Sequence, residues 1–192
     1  MKKTFLVLLL MGVSAAAISQ QPDPVSRFYI KIEYHDLYST HRDHFRGVSV
    51  TVSKPVSPML RLGVGTEFSG NNYHPDNDWK LYHLRFLPLF VDQQLKPKRG
   101  SWLYPVLHFS EGWSYVAYQK ETLAGPGVRR PVHETGLYLY GGAGLTGNLS
   151  ERISLSAEAG IKGFHNSFND LDVNPHGFTG RLALLYRGAA KQ

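Results

Sequence analysis

Along residues 28–36 the chain reads FYIKIEYHD: Phe28, Ile30, Ile32 and Tyr34 are apolar or aromatic, and Lys31, Glu33 and His35 between them are polar. Successive side chains of an extended chain point to opposite faces, so this alternation predicts a β-strand with two unlike faces. Similar segments follow at 47–54, 59–69, 79–92, 101–115, 135–146, 152–164 and 178–187. None of them repeats its apolar positions at the helical period. The pattern predicts an all-β chain of eight strands.

The connections divide into two kinds. Compact, turn-like sequences follow strands two, four and six: PVSP at 55–58, the basic 93–100, and GNLSE at 147–151. Longer polar stretches follow strands one, three, five and seven: STHRDHF, GNNYHPDND, AYQKETLAGPGVRRPVHE and HNSFNDLDVNPHG. Short turns at one end and long loops at the other describe an up-and-down barrel, and above all one that crosses a bacterial outer membrane.

Either face of such a barrel can be the apolar one. Strand two sets Val48, Val50 and Val52 against Ser49, Thr51 and Ser53, and strand seven sets Ile153, Leu155, Ala157, Ala159 and Ile161 against Ser154, Ser156, Glu158, Gly160 and Lys162. A soluble ligand-binding barrel places the apolar row inside, and a membrane barrel places it outside. Eight strands leave an interior only wide enough to be filled by side chains, which the hydroxyl, glycine and mixed-charge rows suit better than rows of Phe, Tyr, Ile and Leu. Tyr34, Phe68, Tyr82, Trp113, Tyr115 and Phe178 fall toward the long connections, and Phe28, Phe90, Trp102 and Tyr186 toward the short ones. Two such groups predict aromatic girdles at the edges of an apolar band. The expected interior network comprises Lys31, Glu33, Arg61, Glu67, Arg85, Glu158, Lys162, Arg181 and Arg187.

The fourth and fifth segments break the pattern. WKLYHLRFLPLFVD puts Leu87, Leu89 and Val91 on the nominally inner row, and Glu111 falls on the outer row of the fifth unless a bulge resets the register. Pro88 and Pro105 each remove a ladder donor, which strands accept at edges, ends or bulges.

The first residues, MKKTFLVLLLMGVSAAAISQQ, carry two lysines, an apolar run and small residues before Gln20. This predicts a Sec-type signal peptide over residues 1–19, and a mature domain over 20–192. Taking Lys2 and Lys3 from the 21 Lys and Arg leaves 19 against 15 Asp and Glu, a net charge of about +4 with no basic run longer than Arg129-Arg130. Scattered charge of this kind argues against nucleic acid and points to outer-membrane lipid and lipopolysaccharide as the surroundings. The chain has no cysteine, which excludes disulfides and thiolate sites.

The run FLPLF, its basic turn and WLYPVLHFSEGWSY, together with the later GLYLYGGAGLTGNLSERISLSAEAGIKGF, resemble the outer-membrane protein β-barrel domain of Gram-negative bacteria, over about residues 25–187. The resemblance implies a small single-domain barrel without fixed chemistry, inserted by the outer-membrane assembly machinery.

An enzyme has to be argued from residues. GFHNSFNDLD gathers His165, Ser167, Asp170 and Asp172 near the end of strand seven, a base and a nucleophile with nearby acids. The stretch is similar to the His-x-Ser-Asn signature of the lipid A 3-O-deacylase family, which implies His165 as base and Ser167 as nucleophile. Phe168 stands at the Asn position and no Glu follows in the last strand, so a polar loop is the preferred reading. His74, Asp76 and Asp78, and His41 and His44, lack a repeated ligand spacing, and no metal or other cofactor is expected. The inner charges can form either a paired network or an ion path; pairing is favoured because an unpaired buried charge is costly.

The sequence therefore predicts a signal-directed, eight-stranded antiparallel transmembrane β-barrel of the outer membrane. Its expected role is structural or surface-interactive through its loops, above all 117–134, with a polar plug inside. A lipid A-modifying enzyme and a soluble periplasmic binding barrel are the alternatives.

Overall fold

In the computed structural model the described residues are 28–40, 42–76, 79–97, 102–121, 127–166 and 174–188. The signal-peptide segment and Ser167, Asp170 and Asp172 lie outside them. Eight strands run in chain order: β1 (Tyr29–Ser39), β2 (His44–Pro55), β3 (Leu60–Asp76), β4 (Trp79–Leu95), β5 (Leu103–Glu121), β6 (Arg129–Asn148), β7 (Ile153–His165) and β8 (His176–Arg187). Every neighbour pair is antiparallel, and β8 pairs back onto β1 from Tyr29↔Arg187 to Ser39↔Gly177, so the barrel is closed.

The apolar rows face outward. Ile32, Val50, Val64, Leu139, Leu155, Ile161 and Leu182 are exposed on the outer surface, while Lys31, Glu33, His35, Ser49, Thr51, Glu67, Ser156, Lys162 and Arg181 are buried inside. Tyr34, Phe68, Trp113, Tyr115 and Phe178 project outward toward one end, and Phe28, Trp102 and Tyr186 toward the other. So continuous an apolar exterior on a closed barrel is the surface of a membrane-spanning one.

The short-turn end matches the sequence expectation and the other end differs from it. At the short-turn end, the Ser57 hydroxyl accepts from the Leu60 amide at 3.0 Å, and the Ser150 hydroxyl accepts from the Ile153 amide at 3.1 Å. Each serine thereby caps a tight reversal with its own side chain. At the opposite end much of what reads as loop is paired strand. GNNYHPDND is strand as far as Asp76, β5 and β6 remain paired out to Glu121↔Arg129, and β1 and β2 are joined only by residues 40–43. The 117–134 connection thus shrinks to 122–128. Polar composition hid these extensions, because a ladder that rises above an apolar band carries polar side chains on both faces. β3 to β6 form a wall taller than the rest of the barrel.

The fourth strand corrects a second expectation. Leu87, Leu89 and Val91 point outward and are exposed, and Phe86, Pro88 and Phe90 point inward. The pairing of β4 with β5 shifts between Tyr82 and Arg85, where His83 takes a positive φ of 54°. One added residue at a bulge inverts the parity of everything beyond it. Phe90 therefore belongs to the interior, not to a girdle. Thr66, from the outer row of β3, donates to the Pro88 carbonyl at 2.9 Å.

Candidate functional site

The interior is layered. Toward the tall end it is apolar: Leu37, Phe45, Leu81, Leu84, Phe86, Val116 and Phe164 pack together, with Phe86 and Phe164 stacked at 4.2 Å and Phe45 edge-on to Phe86 at 5.9 Å. The hydroxyls and charges expected throughout are concentrated in the middle and the short-turn end, and at the tall end Ser39, Ser114, Glu134 and Asn166 are buried beside the apolar cluster.

The middle layer consists of two charge clusters joined by an arginine. In the first, Glu67 receives Lys162 in a close ion pair, the Ser69 hydroxyl at 2.7 Å and the Tyr138 hydroxyl at 3.3 Å, with His35 Nε2 at 3.2 Å. In the second, His108 stands between two carboxylates, Nδ1 at 2.6 Å from Glu158 Oε2 and Nε2 at 2.5 Å from Asp92 Oδ1. An ionised carboxylate only accepts, so each ring nitrogen faces an acceptor. Lys31 Nζ lies 3.3 Å from Glu33 Oε2 and 3.5 Å from Asp92 Oδ1. Arg181 connects the clusters: it donates to Glu33 at 2.8 Å and to the Tyr138 hydroxyl at 3.1 Å, and its guanidinium lies over the Tyr140 ring at 3.1 Å. A charge removed from water holds its place only when paired in this way.

Of the residues expected in this network, Lys31, Glu33, Glu67, Glu158, Lys162 and Arg181 meet in the middle layer. Arg61 and Arg187 sit apart at the short-turn end, their guanidinium carbons 4.8 Å and 5.5 Å from the Tyr29 ring centroid. Arg85 is not interior. It lies beyond the β4 bulge on the outer row, donating to the Asn71 carbonyl at 3.0 Å and the Asn72 side chain at 2.8 Å. Asp92, Gln94, His108, Tyr138 and Tyr140 are among the interior residues that sequence reasoning missed. Asp92 was hidden by the bulge, and a lone histidine in an alternating strand carries no signal of its partners.

The ligating atoms of Glu33, His108 and Glu158 lie within 4.8 Å of one another, close enough for a metal ion by distance alone. Lys31 Nζ already stands 3.3 Å from both Glu33 Oε2 and His108 Nε2, so an ammonium fills the place a cation would take. His165, the candidate base, is exposed at the end of β7 opposite Leu137, and Ser167 lies outside the described residues.

On the outer surface near the tall end, a cleft of about 500 Å³ is lined by His44, Arg46, Phe68, Asn71, Asn72 and Arg85. Asp36 holds its rim, accepting from Arg46 Nε at 3.1 Å and facing His44 Nδ1 at 3.0 Å. Arg46 and Arg85 give the cleft a positive character just above the apolar band.

No family model and no curated protein sequence matches the chain. Solved structures do resemble it. A major outer membrane protein from Thermus thermophilus superposes with a TM-score of 0.55 at 13% identity, over 83% of this chain and 99% of that one. Neisserial surface protein A gives 0.52 at 13% identity over 88% and 99%, and Ail, the attachment invasion locus protein of Yersinia pestis, gives 0.52 at 14% over 84% and 97%. The chain has the fold of the small eight-stranded outer-membrane barrels.

Proposed function

We propose that this chain is a non-enzymatic integral protein of the Gram-negative outer membrane, exported by the signal peptide at 1–19 and inserted by the outer-membrane assembly machinery. Its role is to present the raised β3–β6 wall and its connections at the cell surface. The observation that carries this reading is the pairing of an apolar exterior with an interior filled by packed aromatics and by a layer of paired charges. We read an interior filled in this way as a plug rather than a pore, so interaction is assigned to its outer end.

The cleft with Arg46 and Arg85 suits a phosphorylated glycolipid lying against the barrel, because guanidinium groups bind phosphate in forked pairs. Ail has been solved with the heparin analogue sucrose octasulfate, and a polyanionic sugar is also the kind of partner a basic outer end would accept here. The experiment is fractionation followed by gel mobility in SDS, unboiled against boiled. Recovery in the outer membrane with a shift on boiling is expected; a soluble periplasmic protein without a shift would overturn the proposal. Planar-bilayer recordings should show no steady conductance. An unchanged lipid A in cells carrying H165A or S167A is the expected result against the deacylase alternative.

A further inference from the structure

The middle layer pairs its charges; the layer beneath it does not. At the short-turn end Arg61 is the second residue of β3, Arg187 ends β8, and Lys96 follows the last residue of β4. Arg61 is 2% exposed, and its Nε and Nη2 have no hydrogen-bond partner; the Nε of Arg187 likewise has none. Both guanidinium groups lie against the ring of Tyr29. A ring face attracts a cation but takes none of its in-plane N–H donors. Among the described residues no carboxylate pairs with Arg61, Arg187 or Lys96.

We propose that this cluster is an oxyanion-binding site at the periplasmic mouth of the barrel, taking a phosphate-type group between Arg61, Arg187 and Lys96. Three cations drawn together with unfilled buried donors form a site that lacks its counter-charge, and a tetrahedral oxyanion supplies several acceptors at once. Burial, and after it the charges of Arg61 and Arg187, hold the Lys96 amine below the ordinary lysine range, as expected where like charges converge. Lys96 and Arg187 are only partly buried, which opens the cluster to the mouth. The anion is either free phosphate or the phosphate of a lipid headgroup folded over the rim.

The test uses the full-length barrel in non-ionic detergent, with thermal unfolding followed by loss of the unboiled gel mobility. Inorganic phosphate, compared with chloride at equal ionic strength, is expected to raise the midpoint in a saturable way, as binding to the folded state alone requires. The R61Q/K96Q variant should keep its heat-modifiable mobility and lose the rise, whereas R46Q, at the other end, should keep it. A rise obtained with free phosphate in detergent identifies a soluble anion. One obtained only in nanodiscs containing phosphatidylglycerol, and not in phosphatidylcholine, identifies a headgroup. R61Q alone should melt no lower than the parent without phosphate, because it removes an uncompensated buried charge. Absence of a rise in both settings, a rise retained by R61Q/K96Q, or a marked fall in the melting of R61Q would overturn the proposal.

Discussion

His108 on β5 and Glu158 on β7 touch across an intervening strand, Nδ1 to Oε2 at 2.6 Å. They meet because β6 contributes glycine where they cross: His108 pairs with Gly142, and Gly144 pairs with Glu158. A Cβ added to Gly144 would stand 2.7 Å from Glu158 Cγ, and one added to Gly142 would stand 2.2 Å from the Tyr140 hydroxyl. The glycine-rich run of β6 is thus the space in which the charge layer is assembled.

Replacing His108 with alanine leaves Asp92 and Glu158 facing each other without the ring that separates them. The loss expected is about 3–5 kcal/mol, the usual cost of leaving a buried charge unpaired. Urea unfolding of the barrel folded into lipid vesicles measures it.

Gly144→Ala would bring a Cβ to 2.2 Å from the Ala157 carbonyl oxygen and 2.7 Å from Glu158 Cγ, so it strains the β6–β7 ladder as well as pushing Glu158 away from the ring. A cost of about 1–3 kcal/mol is expected from overpacking. Combined with His108→Ala, the two losses should sum to less than their separate values, since the second removes what the first disturbs. A double-mutant cycle in the same vesicles shows this; full additivity would mean that the glycine serves only the backbone.

Glu67→Leu strands Lys162 in an interior it otherwise shares with Glu67 and His35. It should cost about 3–5 kcal/mol, while the Glu67→Leu, Lys162→Met double variant should recover most of that, because no charge is left without a partner. A double variant no more stable than the single one would show that the hydroxyls of Ser69 and Tyr138 require the carboxylate more than the lysine does.

Glu111 faces outward between Phe109 and Trp113, opposite Val91 and Leu139. No bulge turns it inward. A carboxylate on the apolar band opposes insertion, so Glu111→Leu should stabilise the folded barrel by about 1–2 kcal/mol in vesicles. The gain should shrink in detergent micelles, whose headgroups and water come closer to the wall. A loss in both settings would point to a partner for this side chain.

The sequence made the strands legible wherever two faces met two environments. β1, β2, β3, β7 and β8 have an apolar row against lipid and a polar row inside, and their parity reads directly from the alternation. β4 defeated that reading, because the single residue added near His83 leaves no mark in the pattern, and Leu87, Leu89, Val91 and Phe90 were all assigned to the wrong side. The upper parts of β3 to β6 were illegible for a different reason. Above the apolar band neither face meets lipid, so the alternation fades although the hydrogen-bonded ladder continues. The charge layer was read as a set of residues but not as pairs. Its pairing depends on which rows meet across the lumen, as with Lys162 and Glu67, 95 positions apart.

The closing ladder between β1 and β8 also governs the order of assembly. Tyr29 pairs with Arg187, and Arg181 reaches Glu33 across 148 positions, so the shape cannot be completed until the last strand has been made. A chain that has only its first seven strands has two open edges and an apolar flank with no lipid beside it. Such a chain is prone to aggregate and long-range pairing is slow to form. The polypeptide must therefore be kept extended during its journey through water, with closure deferred to the bilayer, where the final strand finds the first.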